Sequence, residues 1–91
     1  MLDEINCWYY DKRKLIDLTP NETKLLSILI DNKYRIVSIQ EICTKVFNDY
    51  KNIKIYENSI KLLISRLNKK INFSIKIQSK YKKGYYLKWE E

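Results

Sequence analysis

Histidine is absent from this 91-residue chain, and glycine and proline occur once each, as Gly84 and Pro20. Without histidine no Ser–His or Cys–His catalytic pair can be assembled, and the commonest zinc ligand is missing. The scarcity of glycine and proline excludes a flexible linker rich in them and a glycine loop able to cradle phosphate. Two cysteines, Cys7 and Cys43, lie far apart in apolar settings. They predict two free thiols in a reducing cytoplasm, not a disulfide framework. No apolar run approaches the roughly 20 residues of a membrane span. The N-terminal Met1–Asn6 carries two acids and no basic residue, so no signal peptide is expected. Acids such as Asp3, Glu4 and Asp11 do not cluster as metal ligands. No metal, no cofactor and no enzymatic activity is expected.

What the chain does have is apolar content of 45% and a net charge of +7. That apolar content suits one core and one domain over residues 1–91. The charge is lopsided. Residues 1–50 hold seven Lys/Arg against eight Asp/Glu, whereas residues 51–91 hold eleven against three. Such an imbalance predicts a phosphate-rich partner for the second half, where scattered lysines alone would imply only a solvated face.

Cys7–Tyr10 and Leu15–Leu18 are β-prone runs flanking the charged Asp11–Lys14, which predicts a hairpin. Thr19-Pro20-Asn21-Glu22 combines a cap, a proline suited to the first helical position and an acid three residues on, so a helix is predicted over Pro20–Asn32. Tyr34–Val37 reads as a short strand. Ser38 and Glu41 repeat the capping pattern before a helix over Ile39–Phe47. Asn48–Tyr56 reads as a polar loop. From Glu57 to Ile71, helical spacing puts Ile60, Leu63, Ile64, Leu67 and Ile71 on one side, with Asn58, Leu62, Ser65, Arg66 and Lys69 opposite and Lys61 at the edge. The tail, Ser74–Trp89, alternates as a hairpin with its tip at Lys80–Gly84. Packing of the sheets, not base stacking, is expected for Trp8, Tyr9, Tyr10 and Trp89.

This order resembles the OmpR/PhoB-type winged helix-turn-helix domain of bacterial response regulators over about four fifths of the chain. The residues that carry the likeness are Leu18–Glu22 with Leu25-Leu26, Arg35–Ile42, Asn58–Leu67, and Gly84-Tyr85 with Leu87. The resemblance implies an α+β fold: a short N-terminal β-hairpin, three helices and a C-terminal hairpin wing. It further implies sequence-specific binding of double-stranded DNA by a transcription regulator. The third helix would enter the major groove, and the wing would reach the minor groove. The loop at residues 48–56 would meet RNA polymerase or another protein, and a second copy would sit on an adjacent half-site as a dimer. The chain departs from the family pattern at Asn58, Ser65 and Asn68, where basic residues are common, at Leu63, where histidine is common, and at Tyr81, where the wing often has arginine. The receiver domain is missing, which predicts either an excised domain or a stand-alone regulator.

Each expected contact has a chemical reason. Arg66, the lone arginine of its helix, suits bidentate contact with guanine, or else a phosphate or surface ion pair. Asn58 reads adenine, or else caps the helix or hydrogen-bonds to the loop. Leu62 touches a thymine methyl or packs on the preceding loop. Ser65 donates to base or phosphate. Lys61, Lys69 and Lys70 are expected phosphate anchors, since lysine is a flexible point charge. On the wing, Ser79, Lys80, Tyr81, Lys82, Lys83 and Tyr85 join Lys76 in an expected backbone-binding surface, with core packing the alternative role for Tyr85. Two other readings stay open: a plasmid- or phage-type accessory protein marking an origin or recombination site, and a winged-helix protein-interaction module.

Overall fold

The computed structural model describes residues 1–11, 14–33, 35–49, 51–71 and 75–89, with only the backbone of Trp89. A small N-terminal sheet combines β1 (Leu2–Asp3), β2 (Trp8–Asp11) and β3 (Lys14–Asp17) in antiparallel order. The expected hairpin is β2–β3, in the register Tyr9↔Ile16 and Tyr10↔Leu15. Strand β1 was not expected. It pairs Leu2 with Tyr9, and Met1 and Tyr10 exchange backbone hydrogen bonds. Only one face of this sheet is covered. Tyr9 and Ile16 enter the core, whereas their neighbours Tyr10 and Leu15 stay exposed together. Packing therefore holds for Tyr9 and fails for Tyr10, because alternation turns Tyr10 to the solvent side.

Helix α1 (Pro20–Asp31) begins as its capping residues dictate. The Thr19 hydroxyl accepts from Glu22 N, and the Glu22 carboxylate accepts from Thr19 N at 2.8 Å. Asn32 ends it, with both its backbone N–H and its side-chain amide donating to Ile28 O. Helix α2 (Ile39–Phe47) is capped by Ser38, whose hydroxyl accepts from Glu41 N. Here the reciprocal half is replaced: the Glu41 carboxylate lies 3.9 Å from the Arg35 guanidinium. Asn48 closes α2 in the left-handed region, at φ 55°.

Helix α3 runs from Ile53 to Lys70, four residues longer at its start than its periodicity predicts. The expected loop over residues 48–56 shrinks accordingly. Asp49 accounts for this. Its carboxylate accepts from the backbone N–H of Lys51 and Asn52, from the Asn52 amide, and from the Tyr56 hydroxyl. The Tyr56 ring also stacks on Phe47 at 4.5 Å. One carboxylate and one stacked pair thus hold the first turn of α3 without a side-chain cap from Asn52.

The wing is β4 (Ile75–Lys80) paired with β5 (Gly84–Trp89), from Ile75↔Trp89 to Lys80↔Gly84. Its inner face, Ile75, Ile77 and Leu87, closes over Leu25, Leu26, Ile42, Ile60 and Leu67. Each such side chain buried contributes about 1.5–3 kcal/mol. The short strand expected over Tyr34–Val37 reduces to one bridge, Val37 with Tyr85; Tyr34 lies outside the described residues.

Candidate nucleic-acid interface

The apolar face of α3 is buried as its spacing requires: Ile60, Leu63, Ile64 and Leu67, with Ile71 just past the helix end. That burial forces Asn58, Lys61, Leu62, Ser65, Arg66 and Lys69 outward, and all six are exposed. Asn58 stands well inside the helix, so it does not cap it, and Leu62 is 58% exposed instead of packed on the loop. Arg66 has no acidic partner among the described residues.

Lys70 departs from the expected set. Its ammonium donates to the Glu22 carboxylate at 2.7 Å and to Asp17 O at 3.3 Å, on the side of α3 facing α1. Glu22 is 1% exposed. Burial pushes its pKa up. Hydrogen bonds from Lys70 and from the Thr19 backbone outweigh that, so the net direction is down and the carboxyl stays ionised. The Lys70 ammonium is thus engaged within the fold, unlike those of Lys61 and Lys69, whose side chains are exposed.

The wing faces the exposed side of α3 across a groove. Lys61, Ser65 and Lys69 line it from the helix, and Lys76, Ser79 and Tyr85 from the strands. Its position follows from how the wing is pinned. Val37 N donates to Tyr85 O at 2.7 Å, and Tyr85 N donates to Val37 O at 2.9 Å. Gly84, at φ +143°, lies so close that a Cβ would fall on the Val37 carbonyl. Tyr85 is half-buried at this junction and packs against the core, the alternative role expected of it. Burial, then the nearby Glu57 charge, raises its pKa, keeping the phenol neutral and able to donate.

At the wing tip, Lys83 N donates to Lys80 O, closing a turn in which Lys82 takes φ +58°. Tyr81 is 83% exposed, with the Lys82 ammonium 5.4 Å from its ring centre. Lys80, Lys82 and Lys83 are all exposed, so the tip is a compact cationic knob. A second groove joins this tip to α3, lined by Glu57 and Lys61 from the helix and by Lys80, Tyr81 and Lys82 from the wing. Glu57 was missed in sequence because the loop was expected to run up to it. The signal was present all the same: it is the lone acid of a basic helix.

The family model described as "Transcriptional regulatory protein, C terminal" matches residues 12–87. The chain belongs to this family, the OmpR/PhoB-type effector domains. It is similar to the sensory transduction protein BceR of Bacillus subtilis (strain 168), 32% identical over 79 residues that cover 84% of this chain and 33% of BceR. The chain thus spans about a third of the length of that relative. Among solved structures, the DNA-binding domain of Bacillus subtilis CssR is 25% identical, with a TM-score of 0.76 covering 97% of this chain and 98% of that one. The DNA-binding domain of the response regulator AdeR, solved in complex with an intercistronic region, shares the fold at 22% identity. Its TM-score is 0.76, with 96% of this chain and 90% of that chain covered. The fold is therefore the winged helix of response-regulator DNA-binding domains, and the family is one of transcription regulators, not enzymes. No helix among the described residues is long and apolar enough to cross a membrane, and no three metal-ligating side chains gather there.

Proposed function

We propose that this effector domain binds double-stranded DNA sequence-specifically, with α3 in the major groove and the wing on the minor groove and phosphates. The observation that carries the reading is the groove between α3 and the wing, cationic on both walls: Lys61 and Lys69 on one, Lys76 on the other. A phosphate backbone seated there leaves Arg66, Leu62, Ser65 and Asn58 on the helix face that meets base edges, with Arg66 suited to guanine and Leu62 to a thymine methyl. Lys80, Lys82 and Lys83, with Tyr81, extend the contact along the neighbouring backbone. Lys70 is left out of this surface, its ammonium being paired with Glu22. A single copy covers few base pairs, so two copies on neighbouring half-sites complete the reading. The short α2–α3 turn is the surface left for RNA polymerase.

The test is selection of binding sites from a random duplex library, followed by salt-titrated fluorescence anisotropy on the selected sequence. A recurring motif bound with steep salt dependence supports the reading, and the motif's repeat spacing gives the arrangement of copies. Salt-sensitive binding with no motif replaces it with an accessory, origin-marking role. No duplex binding at low salt overturns it in favour of a protein-interaction module.

A further inference from the structure

The two edges of the wing are held in the same way by unrelated parts of the chain. On β5 the holder is backbone, through the paired bonds between Val37 and Tyr85. On β4 the holder is a side chain. Asn68 Nδ2 donates to Ile77 O at 2.9 Å, and Ile77 N donates to Asn68 Oδ1 at 2.8 Å. The Asn68 carboxamide therefore does for β4 what a neighbouring strand would do, and among the described residues β4 has no such strand. The register explains why Ile77 is available. It stands opposite Leu87, and its N–H and C=O point away from β5 to the outer edge.

Asn68 lies on α3 two residues after Arg66 and one before Lys69. It is half-buried where its neighbours Ser65, Arg66 and Lys69 are exposed. Its oxygen and one of its two amide hydrogens are engaged by Ile77, which holds the carboxamide against β4. We infer that Asn68 is a positioning residue: its clamp on Ile77 fixes the wing against the recognition helix, so that the two meet DNA as one rigid surface. The inference rests on the proposed DNA binding. A carboxamide suits the task because its planar donor and acceptor, side by side, can satisfy both groups of one residue at an open edge. An arginine here would supply donors only, leaving Ile77 N–H unmatched.

The consequence is a particular pattern of loss. Removing the clamp takes away no charge, so non-specific attraction to duplex is preserved, while the geometry that aligns Arg66 with the wing lysines is relaxed. Asn68→Ala, Asn68→Gln and Asn68→Arg are compared with the wild type on the selected duplex and on an unrelated one, below the melting temperature of every variant. The ratio of the two affinities is the readout, and hydrogen exchange at the Ile77 amide is followed in the same proteins without DNA. The inference expects Asn68→Ala to lower the ratio about tenfold or more with an unchanged salt slope and faster Ile77 exchange. Asn68→Gln, which keeps the carboxamide, recovers part of the ratio. Asn68→Arg tightens binding to the unrelated duplex yet does not recover the ratio. An unchanged ratio in Asn68→Ala, or a ratio raised by Asn68→Arg, overturns it. A wild type that binds no duplex overturns the DNA reading itself, which is a different result from a wild type that binds selectively and is indifferent to Asn68.

Discussion

Gly84 packs its backbone against Val37 so closely that a Cβ would lie 2.0 Å from the Val37 carbonyl oxygen and 2.9 Å from Ser38 Cα. Its φ of +143° is also one that L side chains rarely adopt. Gly84→Ala therefore meets a clash and a strained backbone at once, and is expected to cost about 3 kcal/mol or more. Urea unfolding reads this as a lowered midpoint with a constant slope. A midpoint that hardly moves would mean that the wing is not seated on Val37.

The ion pair of Glu22 and Lys70 predicts an acid-side loss of stability. The folded state depresses the Glu22 pKa below its ordinary 4.5. The stability this contributes is complete above 4.5 and disappears as pH falls through the lowered folded value. Chemical denaturation from about pH 6 down to about pH 3 should show the wild type weakening below 4.5, with Glu22→Gln weaker at neutral pH and flatter across that window. Lys70→Met, which leaves a buried carboxylate without its partner, should cost about 2 kcal/mol, less than a fully buried pair because Lys70 keeps 37% of its side chain exposed. The same variant should bind DNA with the wild-type salt slope.

Lys82 makes the wing tip a compromise between shape and charge. The turn puts it at φ +58°, a conformation glycine adopts without cost. Lys82→Gly should raise stability by up to about 1 kcal/mol while lowering the log–log salt slope for DNA by roughly 0.9. Opposite signs in the two measurements are the expected signature; a fall in both would mean that the lysine stem packs usefully at the tip.

Arg66 and the lysine tip should fail in different ways. Arg66→Ala is expected to cost about 1–3 kcal/mol on the selected duplex and to relax the preference at one base pair. Replacing Lys80, Lys82 and Lys83 together by alanine should weaken binding to all sequences alike and reduce the salt slope by roughly 0.9 for each phosphate that is no longer neutralised. Equal losses of selectivity in both variants would contradict this division.

Glu57 is the acid in an otherwise basic surface, and it borders the groove that Lys80 and Lys82 share. Its carboxylate repels phosphate and can accept only from the exposed amino group of cytosine or adenine. Glu57→Gln should therefore tighten binding to an unrelated duplex at low salt, and direct competition between two labelled duplexes would report any accompanying loss of discrimination. Weaker binding to both duplexes would show that Glu57 holds the wing in place instead.

The parts of this fold that were legible in sequence are those governed by local rules. Thr19-Pro20 and Ser38, each with a glutamate three residues on, signal helix starts locally, and the spacing of Ile60, Leu63, Ile64 and Leu67 specifies one buried side, so the exposed residues of α3 followed directly. The parts that were not legible depend on contacts distant along the chain or on a side chain acting as backbone. Ile53–Tyr56 has no recognisable cap of its own; Asp49 and the stacking of Tyr56 on Phe47 make those residues helical. Lys70 looks like any other basic residue of α3 until Glu22, far back in α1, is seen beneath it. Asn68 carries no sequence mark that separates an amide facing solvent from one clamped on Ile77.

The bridge between Val37 and Tyr85 joins residues separated by more than half of the chain, with two whole helices between them. Closing so long a loop is entropically costly until those helices have formed and buried their apolar sides. The wing is therefore expected to settle last during folding, and the Tyr85 amide to exchange hydrogen sooner than the amides of the α1 core. The surface proposed to read DNA would be completed at the end of folding and released first when the domain loosens, so a chain still assembling presents its charge before it can discriminate.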